Sequence, residues 1–161
     1  MNPAKALNVW VVDDDASIRW VLERALKQGG MRTTAFEQAD TIVVCQSNPV
    51  ISIGPILAVP GLRDALRRRR DRVVGVSPII AGAPVKGPAD RLMDPLGMEV
   101  SCVGVARAYR DFCSAIVIDG GDTARAPEVE ALGVHAVVTD TLMRDARVAA
   151  ALARNTLDAV A

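Results

Sequence analysis

Residues able to hold a phosphate gather at three places in the chain. The densest is C-Q-S-N-P-V-I-S-I-G, residues 45–54, where Ser47, Asn48, Ser52 and Gly54 follow a β-branched run. Small hydroxyl and amide side chains, with free backbone N–H groups where a helix begins, are what anion sites are made of. The same groups satisfy one another in ordinary turns, so the pattern leaves both readings open. A second set, Ser77, Lys86, Gly87 and Asp90, lies in a loop rich in Gly and Pro. Lys86 either meets a phosphate as a point charge or stands as a solvated loop lysine. The third set is acidic. Asp13 and Asp14 follow an apolar strand, and adjacent carboxylates suit a hard cation such as Mg2+, although no further carboxylate is placed to complete the site. His135 lies in a strand without a partner in sequence, which favours packing over catalysis. Cys45 would need a base beside it to act as a nucleophile, and none is identifiable.

The elements that must position these groups alternate between strand and helix. Residues 8–12 form a short apolar strand. Residues 16–28 place Ile18, Val21, Leu22, Ala25 and Leu26 at helical spacing, with Asp15 or Ser17 as cap and Gly29-Gly30 as stop. Strands are expected over 31–36, 41–45, 73–77, 115–118 and 135–138. Helices are expected from about 52, over 61–70, over 89–96 with an interruption at Pro95, and over 106–112, 123–132 and 144–160. The last should bury Val148, Leu152 and Leu157. The run R-R-R-R-D-R at 67–72 reads as a solvated last turn whose cations complement the helix dipole. This alternation implies one α/β domain over 1–161. Its fold is a doubly wound, mostly parallel sheet with helices on both faces, Rossmann-like or flavodoxin-like.

One junction resists that scheme. Only residues 37–40 separate 32–36 from 41–45, whereas a parallel crossover needs about a dozen residues. Four residues extend only about 14 Å at ~3.5 Å each. Residues 32–36 are therefore expected as an edge strand or lead-in. The other options are a hairpin with 41–45, or exchange of the first β-α-β unit between two copies in a homodimer.

With 161 residues, half of them apolar, the chain is long enough for a core. Its net charge of zero gives no electrostatic case for nucleic acid or an anionic membrane. No run reaches the ~18 apolar residues of a membrane span, and residues 1–7 carry no signal-peptide core, so a cytoplasmic protein is expected. Three cysteines without C-x-x-C spacing read as reduced core thiols.

Two family resemblances cover different parts of the chain. V-W-V-V-D-D-D-A-S-I-R-W-V-L-E-R-A-L, within residues 8–38, resembles the receiver domain of a nitrogen-regulation response regulator. In receivers, acidic residues after the first strand help bind magnesium, which implies that role for Asp13 and Asp14. The phospho-accepting aspartate has no counterpart, because Cys45-Gln46-Ser47 stand in its place. From about residue 39 onward the chain resembles the C-terminal part of 2-phospho-L-lactate transferase. The carrying motifs are residues 39–61, S-P-I-I-A-G-A-P-V-K-G-P-A-D (77–90), G-V-A-R-A-Y (104–109) and T-D-T-L-M (139–143). That family joins a phospholactyl group from a nucleotide-activated donor to a deazaflavin alcohol, using a divalent metal. Its glycine-rich turn after the first strand is replaced here by Asp13-Asp14-Asp15. The expectation from the two together is a recombined α/β scaffold without native catalytic activity, and no resident cofactor. The alternatives are a phospholactate-transferase-like protein that binds nucleotide or phosphate, and a receiver-like signalling domain.

Overall fold

The computed structural model describes residues 8–12, 16–36 and 40–161. The chain separates into two compact units, Met1–Asp40 and Thr41–Ala161.

In the first unit, β1 (Asn8–Val12) and β2 (Arg32–Phe36) pair parallel in register, Asn8 opposite Arg32 and Val12 opposite Phe36. The crossover between them is α1 (Ala16–Gln28). Gly30, at φ +78°, turns the chain after the helix, a conformation glycine adopts without steric cost. No residue of α1 is buried, and Ile18, Trp20, Val21 and Leu22 are all exposed.

The second unit runs β3 (Ile42–Val44), α2 (Gly54–Leu57), α3 (Leu62–Arg68), β4 (Val73–Val76), β5 (Ile79–Ile80), β6 (Ala83–Pro84), α4 (Ala89–Met93), α5 (Cys102–Tyr109), β7 (Ala115–Asp119), α6 (Ala126–Glu130), β8 (His135–Thr139) and α7 (Ala146–Asp158). Strands β3, β4, β7 and β8 form a four-stranded parallel sheet in that order. Successive side chains of a strand point to opposite faces, and here both faces are covered. Val73, Ile116 and Ile118 join α3, α5 and α6 in one core, while Val74, Val76, Ala115 and Val117 meet Leu152 and Val160 in another. The fold is an α/β sheet with helices on both faces, as expected.

The junction is resolved differently from the expectation. Residues 32–36 are neither an edge strand of the main sheet nor half of a hairpin with 41–45. Both segments run parallel to their partners within a single chain, but in two different sheets. The crossover requirement binds only strands of one sheet. α1 meets it for β1 and β2, and residues 45–72 meet it for β3 and β4, so exchange between copies is not required.

Smaller shifts have local causes. The helix expected at 106–112 starts at Cys102 because Ser101 caps it, its Oγ accepting from the Gly104 N–H at 3.0 Å. The helix expected over 123–132 is a tight three-residue-per-turn segment (Gly120–Arg125) that opens into α6. In α7, Leu157 is 49% exposed, and Thr156 is buried instead. The i, i+4 row Val148–Leu152–Thr156 stays on one face, and the next residue is rotated off it by about 100°. The arginines of the 67–72 run, at the end of α3 and beyond it, are not simply solvated. Arg67 pairs with Asp111 at 2.6 Å, and Arg70 donates to the Arg110 and Gly133 carbonyls. Among the described residues no single helix is long and apolar enough to cross a membrane.

Candidate phosphate-binding site

A parallel sheet brings all its carboxyl ends to one edge, where loops lead into helix N-termini and ligands gather. Here those ends are stitched together strand by strand. The Gln46 side-chain amide donates to the Ser77 carbonyl at 3.1 Å, joining the ends of β3 and β4. The Ser77 N–H donates to the Val117 carbonyl at 2.9 Å, joining β4 to β7. Asp119, ending β7, accepts from the Thr141 N–H and hydroxyl, both at 2.9 Å, beyond β8. Asp122 takes the Ala81 N–H on both carboxylate oxygens at 3.1 Å, tying the loop after β5 to the turn after β7.

The turn after β3 is built around Asn48. Its Oδ1 accepts from the Val50 N–H at 2.9 Å and the Ile51 N–H at 3.2 Å, and its carbonyl takes the N–H groups of Ser52 and Ile53. The free backbone N–H groups expected at this helix start are therefore occupied. Oδ1 is fixed by the cap, so the other end of the amide is Nδ2, which is buried without a partner among the described residues. The first turn, Pro49–Ile53, is widened, with the Gly54 N–H reaching the Pro49 carbonyl. A Cβ at Gly54 would lie 3.3 Å from that carbonyl oxygen, so Gly54 serves the backbone here. Ser47 and Ser52 are half-buried at the same turn.

Ser77 is 1% exposed, and its hydroxyl is closed onto the Ile79 N–H and carbonyl. It shapes the loop and offers no free hydroxyl. Lys86 is exposed beyond β6 and makes no hydrogen bond or ion pair among the described residues. Asp13 and Asp14 lie outside the described residues. Among the described residues no three His, Cys, Asp or Glu side chains converge as metal ligands.

Asp119 was not singled out by sequence reasoning, although D-G-G-D directly after A-I-V-I is a turn signal at a strand end. Burial alone would raise its pKa. The hydrogen bonds from Gly121 and Thr141 outweigh that and hold it below the usual carboxylate range. His135 is exposed on edge strand β8, its Nδ1 3.2 Å from a Glu130 carboxylate oxygen, so it is not packed into the core as expected. Burial pushes the Cys102 and Cys113 thiols up to about 11 and about 12, which keeps them protonated core groups. Cys45 differs from the expected core thiol. It is exposed, with its sulfur 4.0 Å from the Val43 carbonyl.

Comparison with known proteins decides which of the two resemblances holds. A model of the 2-phospho-L-lactate transferase CofD family matches residues 9–157. The chain belongs to that family. It is 50% identical over 109 residues to 2-phospho-L-lactate transferase of Methanosarcina mazei, covering 68% of this chain and 35% of that protein. It is 39% identical over 120 residues to the Methanococcoides burtonii protein of the same name, covering 74% and 39%. It is 42% identical over 125 residues to phosphoenolpyruvate transferase of Streptomyces griseus, covering 77% and 39%. The chain thus spans little more than a third of the length of these CofD-family relatives.

These findings overturn the recombined scaffold. The CofD match begins in β1 and crosses the 38/39 boundary, leaving no receiver opening to be joined. The receiver likeness rested on the run D-D-D-A-S-I-R-W-V-L-E within residues 8–38, which lacks the phospho-accepting aspartate and so carries no receiver chemistry by itself.

Proposed function

We propose that this chain is the phosphate-holding portion of a transferase that moves a phospholactyl or phosphoenolpyruvyl group from a nucleotide-activated donor. The observation that carries this reading is the Asn48 turn at the carboxyl end of β3, inside the stretch shared with the transferases. Asn48 is locked by its cap, and its Nδ2 has hydrogen-bonding capacity left over. Ser47 and Ser52 flank it with hydroxyls able to donate to phosphate oxygens. Lys86 supplies an exposed positive charge from the loop before α4. These groups bind and orient the phosphate. The carboxylates at the strand ends are committed to holding loops. Mg2+ would screen the phosphate charge, with Asp13 and Asp14 as its proposed ligands.

The test is calorimetric titration of the full chain with a guanine nucleotide and Mg2+, and separately with inorganic phosphate. Saturable nucleotide binding is expected, weakened at least tenfold by Asn48→Asp, which keeps the cap oxygen but puts a negative charge at Nδ2. Absence of saturable binding, or unchanged binding in Asn48→Asp, would remove the reading. A transfer assay followed by mass spectrometry then distinguishes the two phosphate-linked donors.

A further inference from the structure

The chain is neutral as a whole, but its charge is not evenly spread. Residues 63–72 and 110–111 hold seven arginines against three aspartates, Asp64, Asp71 and Asp111. The two segments meet at the edge of the sheet where β4, β7 and β8 begin, opposite the strand-end loops. Arg70 ties them together. Its Nε donates to the Arg110 carbonyl at 2.9 Å, and its Nη2 reaches the Gly133 carbonyl just before β8. Arg67 adds a second tie through Asp111 at 2.6 Å.

These arginines differ in what they have left to offer. Arg63 and Arg67 share Asp111, and Arg67 also holds Asp64 at 2.9 Å, so two cations face two anions in a closed set. The Arg63 guanidinium lies over the Phe112 ring as well. Arg72 is 3.9 Å from Asp71. Arg70 meets only neutral carbonyls, which leaves its charge unmatched. Arg68, Arg69 and Arg110 are exposed, and their side chains make no hydrogen bond or ion pair among the described residues. Glu130, on the turn that Arg70 reaches, is taken by the Ala136 N–H and His135. Counting it, seven arginines still stand against four carboxylates. The carboxyl ends of α3 and α5 each present about half a negative charge, so together they match about one arginine. The fold does not use the remainder.

We propose that this edge docks an acidic, extended protein segment, a run of Asp and Glu whose carboxylates pair with Arg68, Arg69 and Arg110. Guanidinium forks match carboxylates in planar, two-pronged hydrogen bonds. The three free groups stand on two segments, which suits anions spaced along a chain. Single-stranded nucleic acid calls for aromatic faces to stack on, and Tyr109 and Phe112, on either side of Arg110, are buried. A membrane surface calls for apolar side chains to insert between the cations, and Leu66 is buried too. What remains exposed is charge alone. The surface lies at the opposite edge of the sheet from the strand-end loops and does not depend on phosphate binding there.

The probe is fluorescein-labelled decaglutamate, followed on the full chain by fluorescence anisotropy. Saturable binding is expected at about 0.1 M salt and its loss at about 1 M, over which the Debye length falls from about 10 to about 3 Å. Arg68→Gln, Arg69→Gln and Arg110→Gln combined should weaken binding about tenfold, the scale for three exposed ion pairs, without shifting the melting temperature. Arg147→Gln with Arg154→Gln, two exposed arginines of α7, should leave it unchanged. Labelled decauridylate and phosphatidylglycerol vesicles are the competing probes and should bind more weakly than decaglutamate. No saturable binding of decaglutamate, equal weakening by the two sets of substitutions, or tighter binding of decauridylate or the vesicles would overturn the proposal. If the triple variant failed to fold, the comparison of the three probes on the natural chain would still decide.

Discussion

One oxygen of the Asp119 carboxylate holds both hydrogen-bond donors of Thr141, the backbone N–H and the hydroxyl, at 2.9 Å each. The other oxygen takes the Gly121 N–H at 2.9 Å. Thr141 is fully buried, so the loop after β8 is anchored to the end of β7 by a single side chain. Asp119→Ala should lower stability by about 2 kcal/mol, the scale for hydrogen bonds to a charged but partly exposed group. Urea denaturation checks the loss. An unchanged midpoint would mean that Thr141 is held by packing alone.

The same carboxylate sets a pH dependence. Asp119 and Asp111 both have folded pKa values below their unfolded ones. Burial acts to raise each, and hydrogen bonds from Gly121 and Thr141, or from Arg63 and Arg67, outweigh it. A depressed pKa gives stability that is present above the unfolded value, ~3.9 for Asp, and lost as pH falls through the folded value. The melting temperature should therefore be nearly flat from about pH 7 to 5 and drop below about pH 4. In Asp119→Asn that drop should be shallower.

Asp111 bridges α3 to the end of α5 through Arg63 and Arg67 at once. Exposed pairs are individually weak, and salt screens them. Asp111→Ala should cost about 1 kcal/mol at low ionic strength and less at 1 M salt. Denaturation midpoints at the two salt levels measure the difference. A salt-independent loss would mean that packing of Arg63 on Phe112, rather than charge, holds the two helices together.

Gly104 admits no side chain. A Cβ there would overlap the Glu99 carbonyl oxygen and lie 2.8 Å from its carbon, backbone atoms that cannot rotate away. Gly104→Ala should destabilise by about 3 kcal/mol, at the upper end of ordinary overpacking. A midpoint like that of the natural chain would show that the 99–101 turn can shift freely.

The Asn48 cap can be separated from its chemistry. Asn48→Ala removes the acceptor for two N–H groups and should cost about 1 kcal/mol. Asn48→Asp should keep that stability, because the cap oxygen remains. Thermal melts of the two variants side by side test this, and equal losses would mean that Nδ2, not Oδ1, supports the turn.

Local sequence determined much of this molecule. The run Ala115–Ile118 is apolar and rich in β-branched residues, so it becomes a strand buried on both faces. α1 has the bounds its periodicity and Gly29-Gly30 dictate. The Ser-Asn-Pro stretch was legible as a turn after β3, but the helix expected from about 52 begins at Pro49, where Asn48 caps it. Tertiary structure decided what depends on distant partners. Whether 32–36 and 41–45 share a sheet rests on which strands they pair with, and pairing is not written in their own residues. That Gln46 would reach Ser77 and that Asp119 would reach Thr141 follow from geometry across 31 and 22 positions of sequence. That the Tyr109 hydroxyl is buried without a partner among the described residues appears only when α5 is laid on the sheet, since burial is a property of the packed surroundings and not of the residue.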